Sequence, residues 1–157
     1  MKKVEILLVE DTPSDVRLIR EAMKETSLCV QMTVARDGVE AMDYLRSCIW
    51  GEAPRPDLIL LDLNLPRKNG REVLAEVKSD PLLKQIPVVV MTSSKANEDI
   101  AAAYSLNANC YVTKPVELGQ YIEVVQAIED FWFVTAELPN GLPQVMSSQF
   151  DANAVMV

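Results

Sequence analysis

The sequence predicts an α/β domain built on a doubly wound parallel sheet of five strands with five helices. Three observations predict it. Short runs rich in β-formers alternate five times with stretches of helical periodicity. The first, third and fourth runs are apolar nearly throughout, as strands are when helices cover both faces of a sheet. Acidic, hydroxyl and lysine side chains fall at the ends of these runs. Ligands of open α/β sheets sit at the carboxyl ends of strands, near the point where strand order reverses.

Each element has its own signal. Residues 4–9 form the first strand, and Thr12-Pro13 starts a helix, with Thr as cap and Pro at its first position. Val16, Ile19, Ala22 and Met23 recur on one face of that helix. Residues 30–35 read as the second strand. Asp37-Gly38 turns the chain into a second helix carrying Val39, Met42 and Leu45. Gly51, Pro54 and Pro56 mark residues 48–56 as a loop. The third strand is 58–62. Asn69-Gly70 precedes a helix bearing Val73, Leu74 and Val77, and 87–91 is the fourth strand. An Ala-rich helix over 97–106, a fifth strand at 110–113 and a last helix from Glu117 to about Thr135 complete the pattern.

With 157 residues the chain is sized for one domain, 1–135, and 136–157 reads as a C-terminal extension too short for a second. A hydrophobic content of 49% supports a packed core. The net charge of −8 argues against non-specific nucleic-acid binding and against an anionic membrane surface. No apolar run reaches the roughly 20 residues of a membrane span, and Glu5 and Glu10 interrupt the stretch after Lys2-Lys3, so no signal peptide is read. Cys29, Cys48 and Cys110 form no C-x-x-C pair and histidine is absent, which excludes a zinc site and fits reduced thiols in the cytoplasm. The glycines at 38, 51, 70, 119 and 141 make neither a dinucleotide fingerprint nor a P-loop.

The chemistry lies at the strand exits. Asp62 ends the run Leu58-Ile59-Leu60-Leu61, Glu10-Asp11 ends the first strand, and Lys114 ends the fifth, just before Pro115. A carboxylate at the exit of an apolar strand is costly to desolvate and so has a partner or a job. Two carboxylates about 4 Å apart repel by ~4 kcal/mol at an effective dielectric near 20. Three at one sheet edge therefore call for a cation, and oxygen donors without histidine favour magnesium. Taken singly, each residue has a plainer reading. Glu10-Asp11 is then an acidic strand end, Asp62 a loop cap, Lys114 a solvated lysine, Thr92 a turn residue and Tyr111 an edge aromatic.

Four motifs stand in order, each at a strand exit: Val9-Glu10-Asp11; Leu60-Leu61-Asp62-Leu63-Asn64-Leu65-Pro66 with Gly70; Met91-Thr92-Ser93; and Tyr111-Val112-Thr113-Lys114-Pro115. Together they resemble the receiver domain of two-component response regulators, over residues 4 to about 134, and so imply its flavodoxin-like (βα)5 fold. The resemblance implies that Asp62 accepts a phosphoryl group from a sensor histidine kinase. It implies that Glu10, Asp11, Asp62 and the backbone carbonyl of Asn64 hold Mg2+, with Glu10, one methylene longer than the more common Asp, acting through water. Thr92 and Lys114 would bind the phosphoryl group, and Thr92 with Tyr111 would form the switch.

The strings from Leu61 to Leu74, Ile86 to Val90, Asn109 to Pro115 and Glu129-Asp130-Phe131-Trp132 look like the small regulators paired with cyanobacterial phytochromes, as does the long loop before the third strand. That resemblance implies a phytochrome-like kinase as partner, signalling through protein contacts without an output domain, and a homodimer.

Two other functions compete. A haloacid-dehalogenase-like phosphatase also uses a strand-exit aspartate, but its acid/base carboxylate two residues on is Asn64 here, which cannot transfer a proton. A receiver-like module that never takes phosphate would lack the Asp, the Lys or the acidic pair, and all are present.

Two structural expectations complete the reading. The Lys114–Pro115 bond is expected to be cis, aiming the ammonium across the site. The last helix is expected to place Leu118, Tyr121, Ile122, Val125, Ile128 and Trp132 against the sheet. Val124 and Phe131 would then lie about 100° from that stripe and Phe133 on the opposite flank. Val124 and Phe131 would form a dimer patch, unless the tail from Leu138 folds over it.

Overall fold

The fold is taken from a computed structural model, which describes residues 3–25 and 28–139. Its elements are β1 (Lys3–Val9), α1 (Pro13–Met23), β2 (Cys29–Ala35), α2 (Gly38–Ile49), β3 (Leu58–Leu61), α3 (Gly70–Ser79), β4 (Val88–Thr92), α4 (Asn97–Ser105), β5 (Cys110–Thr113) and α5 (Leu118–Glu129). A π-helical turn, Asp130–Thr135, continues α5. The five strands form one parallel sheet in the order β2-β1-β3-β4-β5.

Side-chain alternation splits the core into two layers. Leu7, Val9, Ile59, Leu61, Val88 and Val90 face one side, where α2, α3 and α4 cover them through Leu45, Val73, Leu74, Val77 and Ala103. Ile6, Leu8, Leu58, Leu60, Val89 and Met91 face the other, under α1 and α5, which supply Ile19, Ala22, Met23, Tyr121, Val125 and Ile128. Both faces are covered, which is why the central strands read as unbroken apolar runs.

Register aligns the exits. Val9 pairs with Leu61, so Glu10 and Asp62 leave the sheet side by side. Leu61 pairs with Val90 and Thr92 with Thr113, which brings Thr92 and Lys114 to the same edge. The chain reverses direction across the sheet between β1 and β3, so the acidic pair and Asp62 flank the switch point.

Several local expectations are corrected. Thr12 makes no side-chain cap; its N–H instead donates to Glu10 Oε1 at 3.2 Å. Asp37 and Asn69 do cap α2 and α3, accepting from the N–H groups of Glu40 and Glu72. Helix α2 runs on through Cys48 and Ile49, residues assigned to a loop, and ends only near Gly51, whose φ of 78° breaks it.

The end of α5 differs most. Phe133 is 3% exposed, not on an outer flank, while Leu118 is 59% exposed and leaves the core stripe. The Ala136 N–H bonds to the Phe131 carbonyl at 2.7 Å, the five-residue spacing of a π turn. Phe133 joins Ile128 in the buried layer under α1 and α5. Val124 and Trp132 are half-buried against the same layer, and Phe131 stays 53% exposed. Of the tail, Leu138 packs on this layer and the Pro139 carbonyl accepts from Arg55 Nη1 at 3.2 Å. Residues 140–157 lie outside the described residues.

Candidate phosphoryl-transfer site

Asp62 stands one residue beyond β3, 6% exposed, and its carboxylate is held from its own loop and from the exits of β4 and β5. Its Oδ1 accepts from Thr92 Oγ1 at 2.9 Å and from the Asn64 N–H at 3.0 Å. Its Oδ2 accepts from Lys114 Nζ at 2.9 Å. Thr92, the last residue of β4, is fully buried. The loop after Asp62 must fold tightly back over the strand end. A Cβ on Gly70 would come within 2.3 Å of the Asp62 carbonyl oxygen, which accounts for glycine at that position.

Lys114 is the electrostatic hub. Its ammonium also donates to Glu10 Oε2 at 2.6 Å and to Asp15 Oδ2 at 3.1 Å, so its three N–H donors match three carboxylates. Burial alone would drive its pKa down. The hydrogen bonds and charges of Glu10 and Asp62 outweigh that, and the net shift is upward. Glu10 is 1% exposed, and burial pushes its carboxyl up to about 7, with the Asp62 charge adding to the shift and the Lys114 hydrogen bond opposing it. The Lys114–Pro115 bond is trans, against expectation, since no described peptide is cis. The Lys114 N–H bonds the Thr92 carbonyl at 2.8 Å, and the extended backbone already carries the side chain across the site.

Carboxylate oxygens of Glu10, Asp11 and Asp62 all lie within 4.8 Å of one another. The set suits a hard divalent cation: donors are oxygen only, Glu10 and Asp62 are buried, and Asp11 is exposed, leaving room for retained water. Asn64 and Asp11 line an open cleft together with Asn69, Arg71 and Asp99. Tyr111 sits at the rim, half-buried, its hydroxyl donating to the Ser94 carbonyl at 2.9 Å.

Every residue singled out at the strand exits is therefore gathered at one edge. Val124 and Phe131 lie apart, on and just after α5. Sequence reasoning missed Asp15, because an acidic residue in a first helical turn reads as an ordinary complement to the helix dipole. It also missed Ser94, Arg71 and Asp99, which no spacing rule ties to Asp62.

Comparison with known proteins gives the family. Residues 6–126 match the response regulator receiver domain. The response regulator Rcp1 of Synechocystis sp. is 50% identical over 137 residues, covering 85% of this chain and 92% of Rcp1. The crystal structure of the phosphorylated cyanobacterial phytochrome response regulator RcpA superposes with a TM-score of 0.84 at 52% identity, covering 88% of this chain and 99% of that one. The Mn2+-bound form of Rcp1 superposes at 0.82 with 48% identity, covering 87% and 99%. With a family match across most of its length and a relative at 50% identity, the chain belongs to the response regulator receiver domain family.

Proposed function

We propose that Asp62 is the residue that takes the phosphoryl group, in a magnesium-dependent transfer from a phytochrome-type histidine kinase. The observation that carries this reading is the single carboxylate held between Thr92 Oγ1 and Lys114 Nζ and beside Glu10 and Asp11. The likeness to RcpA, a cyanobacterial phytochrome response regulator, supports the choice of kinase.

Each side chain has a task. The hydrogen bonds from Thr92 and the Asn64 N–H orient Asp62, leaving its carboxylate poised for in-line attack on the donor phosphorus. The Lys114 ammonium meets charge on the phosphoryl oxygens. Thr92 can pass its hydroxyl hydrogen bond from Asp62 Oδ1 to a phosphoryl oxygen. Glu10, Asp11, Asp62 and the Asn64 carbonyl would hold Mg2+, which supplies neutralisation of the carboxylates and phosphoryl oxygens. The same groups would assist loss of the phosphoryl group to water. The chain acts as a signalling protein, not as an enzyme turning over small phosphate esters.

The output is contact with other proteins, including a second copy of the chain. Phe131, edge-on to Trp132 at 5.1 Å and 89°, and the 68% exposed Val134 supply an apolar surface after α5, and the half-buried Val124 is the α5 residue assigned to the same interface. Cys29, Cys48 and Cys110 are free thiols, which fits the cytoplasm.

Phosphotransfer from a purified phytochrome-type kinase tests the reading. Label should move to this chain in magnesium and stay on the kinase in chelator. Retention on the kinase in both would reject the pairing. Phe131→Asp should shift a sedimenting dimer to monomer; a wild-type chain that stays monomeric at high micromolar concentration would reject self-association.

A further inference from the structure

The loop after β4 is fastened at its outer end by a contact series that borders the cleft of Asp11 and Asn64 and includes none of the hydrogen bonds to Asp62. Ser94 Oγ donates to Asp99 Oδ2 and accepts the Ala96 N–H at 3.2 Å. The other oxygen of Asp99, Oδ1, is ion-paired with Arg71 Nη2. Asp99 lies in the first turn of α4 and Arg71 in the first turn of α3. One carboxylate thus ties the loop to its own helix and that helix to the neighbouring one.

The inner end of the same loop is Thr92, bonded to Asp62. At the outer end, the Ser94 carbonyl also carries the Tyr111 hydroxyl. We propose that Asp99 is a positioning residue for phosphoryl transfer: with Arg71 and Ser94 it latches the β4–α4 loop in the resting position and thereby opposes the movement of Thr92 and Tyr111. For its consequence, not for its geometry, the proposal rests on Asp62 as acceptor and on Thr92 and Tyr111 as the switch.

A latch of this kind acts on an equilibrium. Thr92 cannot follow a phosphoryl group unless the backbone behind it yields, and that backbone is pinned two residues on by Ser94. Removing the pin favours the shifted loop before any phosphate arrives. The Arg71 and Asp99 side chains are 46% and 29% exposed, so the pair is partly screened and the effect modest. Loss of the pin should change the ratio of resting to shifted loop by about two- to fivefold.

The experiment uses the full chain with fluorotyrosine, the Tyr111 resonance being assigned by its loss in Tyr111→Phe. In unphosphorylated Asp99→Ala, that resonance should move toward its position in acetyl phosphate and magnesium, and phosphorylation by acetyl phosphate should quicken by about two- to fivefold. Arg71→Ala should move it the same way and less. The double variant should match Asp99→Ala, because Arg71 acts through Asp99. Asp99→Asn, which keeps an acceptor for Ser94, should fall between. High salt should shift the wild-type resonance and leave Asp99→Ala unchanged. An unmoved Tyr111 resonance in Asp99→Ala, or additive effects of the two substitutions, would overturn the latch. Phosphate uptake by Asp62→Asn would overturn the acceptor assignment and leave the Tyr111 response standing.

Discussion

Thr92 Oγ1 donates to Asp62 Oδ1 at 2.9 Å, from the end of one strand to the exit of its neighbour. The hydroxyl is fully buried and the backbone beyond it leads to Ser94, whose carbonyl holds Tyr111. Two hydrogen bonds and the backbone between them thus join the Asp62 carboxylate to the rim of the site.

Thr92→Ala should separate acceptance from response. Lys114 and the Asn64 N–H still orient Asp62 in this variant, so phosphate is taken up. The hydroxyl that would follow the phosphoryl oxygens is gone, and the Tyr111 environment should change little on phosphorylation. Equal Tyr111 spectra for phosphorylated wild type and variant would contradict the coupling.

Lys114→Met should expose the mutual repulsion of Glu10, Asp15 and Asp62. Its ammonium is buried and meets all three. Removing one partner of such a cluster costs about 3–5 kcal/mol. Denaturant unfolding in chelator should show that loss, and millimolar magnesium should recover part of it by binding the folded chain alone. A midpoint unchanged by both would contradict this picture.

Glu10 sets a pH dependence. Its folded pKa of about 7 lies above the ordinary value of 4.5, so the folded chain holds that proton more tightly than the unfolded chain does. Without a cation, stability should fall as pH rises through that window. Magnesium competes with the same proton, so its apparent affinity should drop by about tenfold from pH 8 to pH 6. Titration calorimetry at the two values checks it; equal affinities would contradict it.

The π turn makes a sharp contrast between near neighbours. Phe133→Ala should destabilise by about 3–5 kcal/mol, as for other buried aromatics, and Phe131→Ala by well under half of that. Thermal unfolding of the two variants decides it. The reverse order would restore the regular helix that the sequence periodicity suggests.

The strands and their exits were legible because continuous apolar runs end abruptly at charged residues, and parallel register then leaves Glu10, Asp62 and Lys114 no other place to go. The close of α5 was not, since a 100° periodicity carries no sign of where hydrogen bonding lengthens to five residues. Asp15 looked like any helix-start acid until Lys114 reached it. The Arg71–Asp99 pair joins residues 28 positions apart on two exposed helix ends, a contact with no local signature.

The most direct measurement maps the phosphate. After incubation with acetyl phosphate and magnesium, one phosphoryl group should be found on the peptide containing Asp62, and none on Asp62→Asn or on wild type in excess chelator. Full labelling of Asp62→Asn, or a phosphate mapped to another strand exit, would contradict the account.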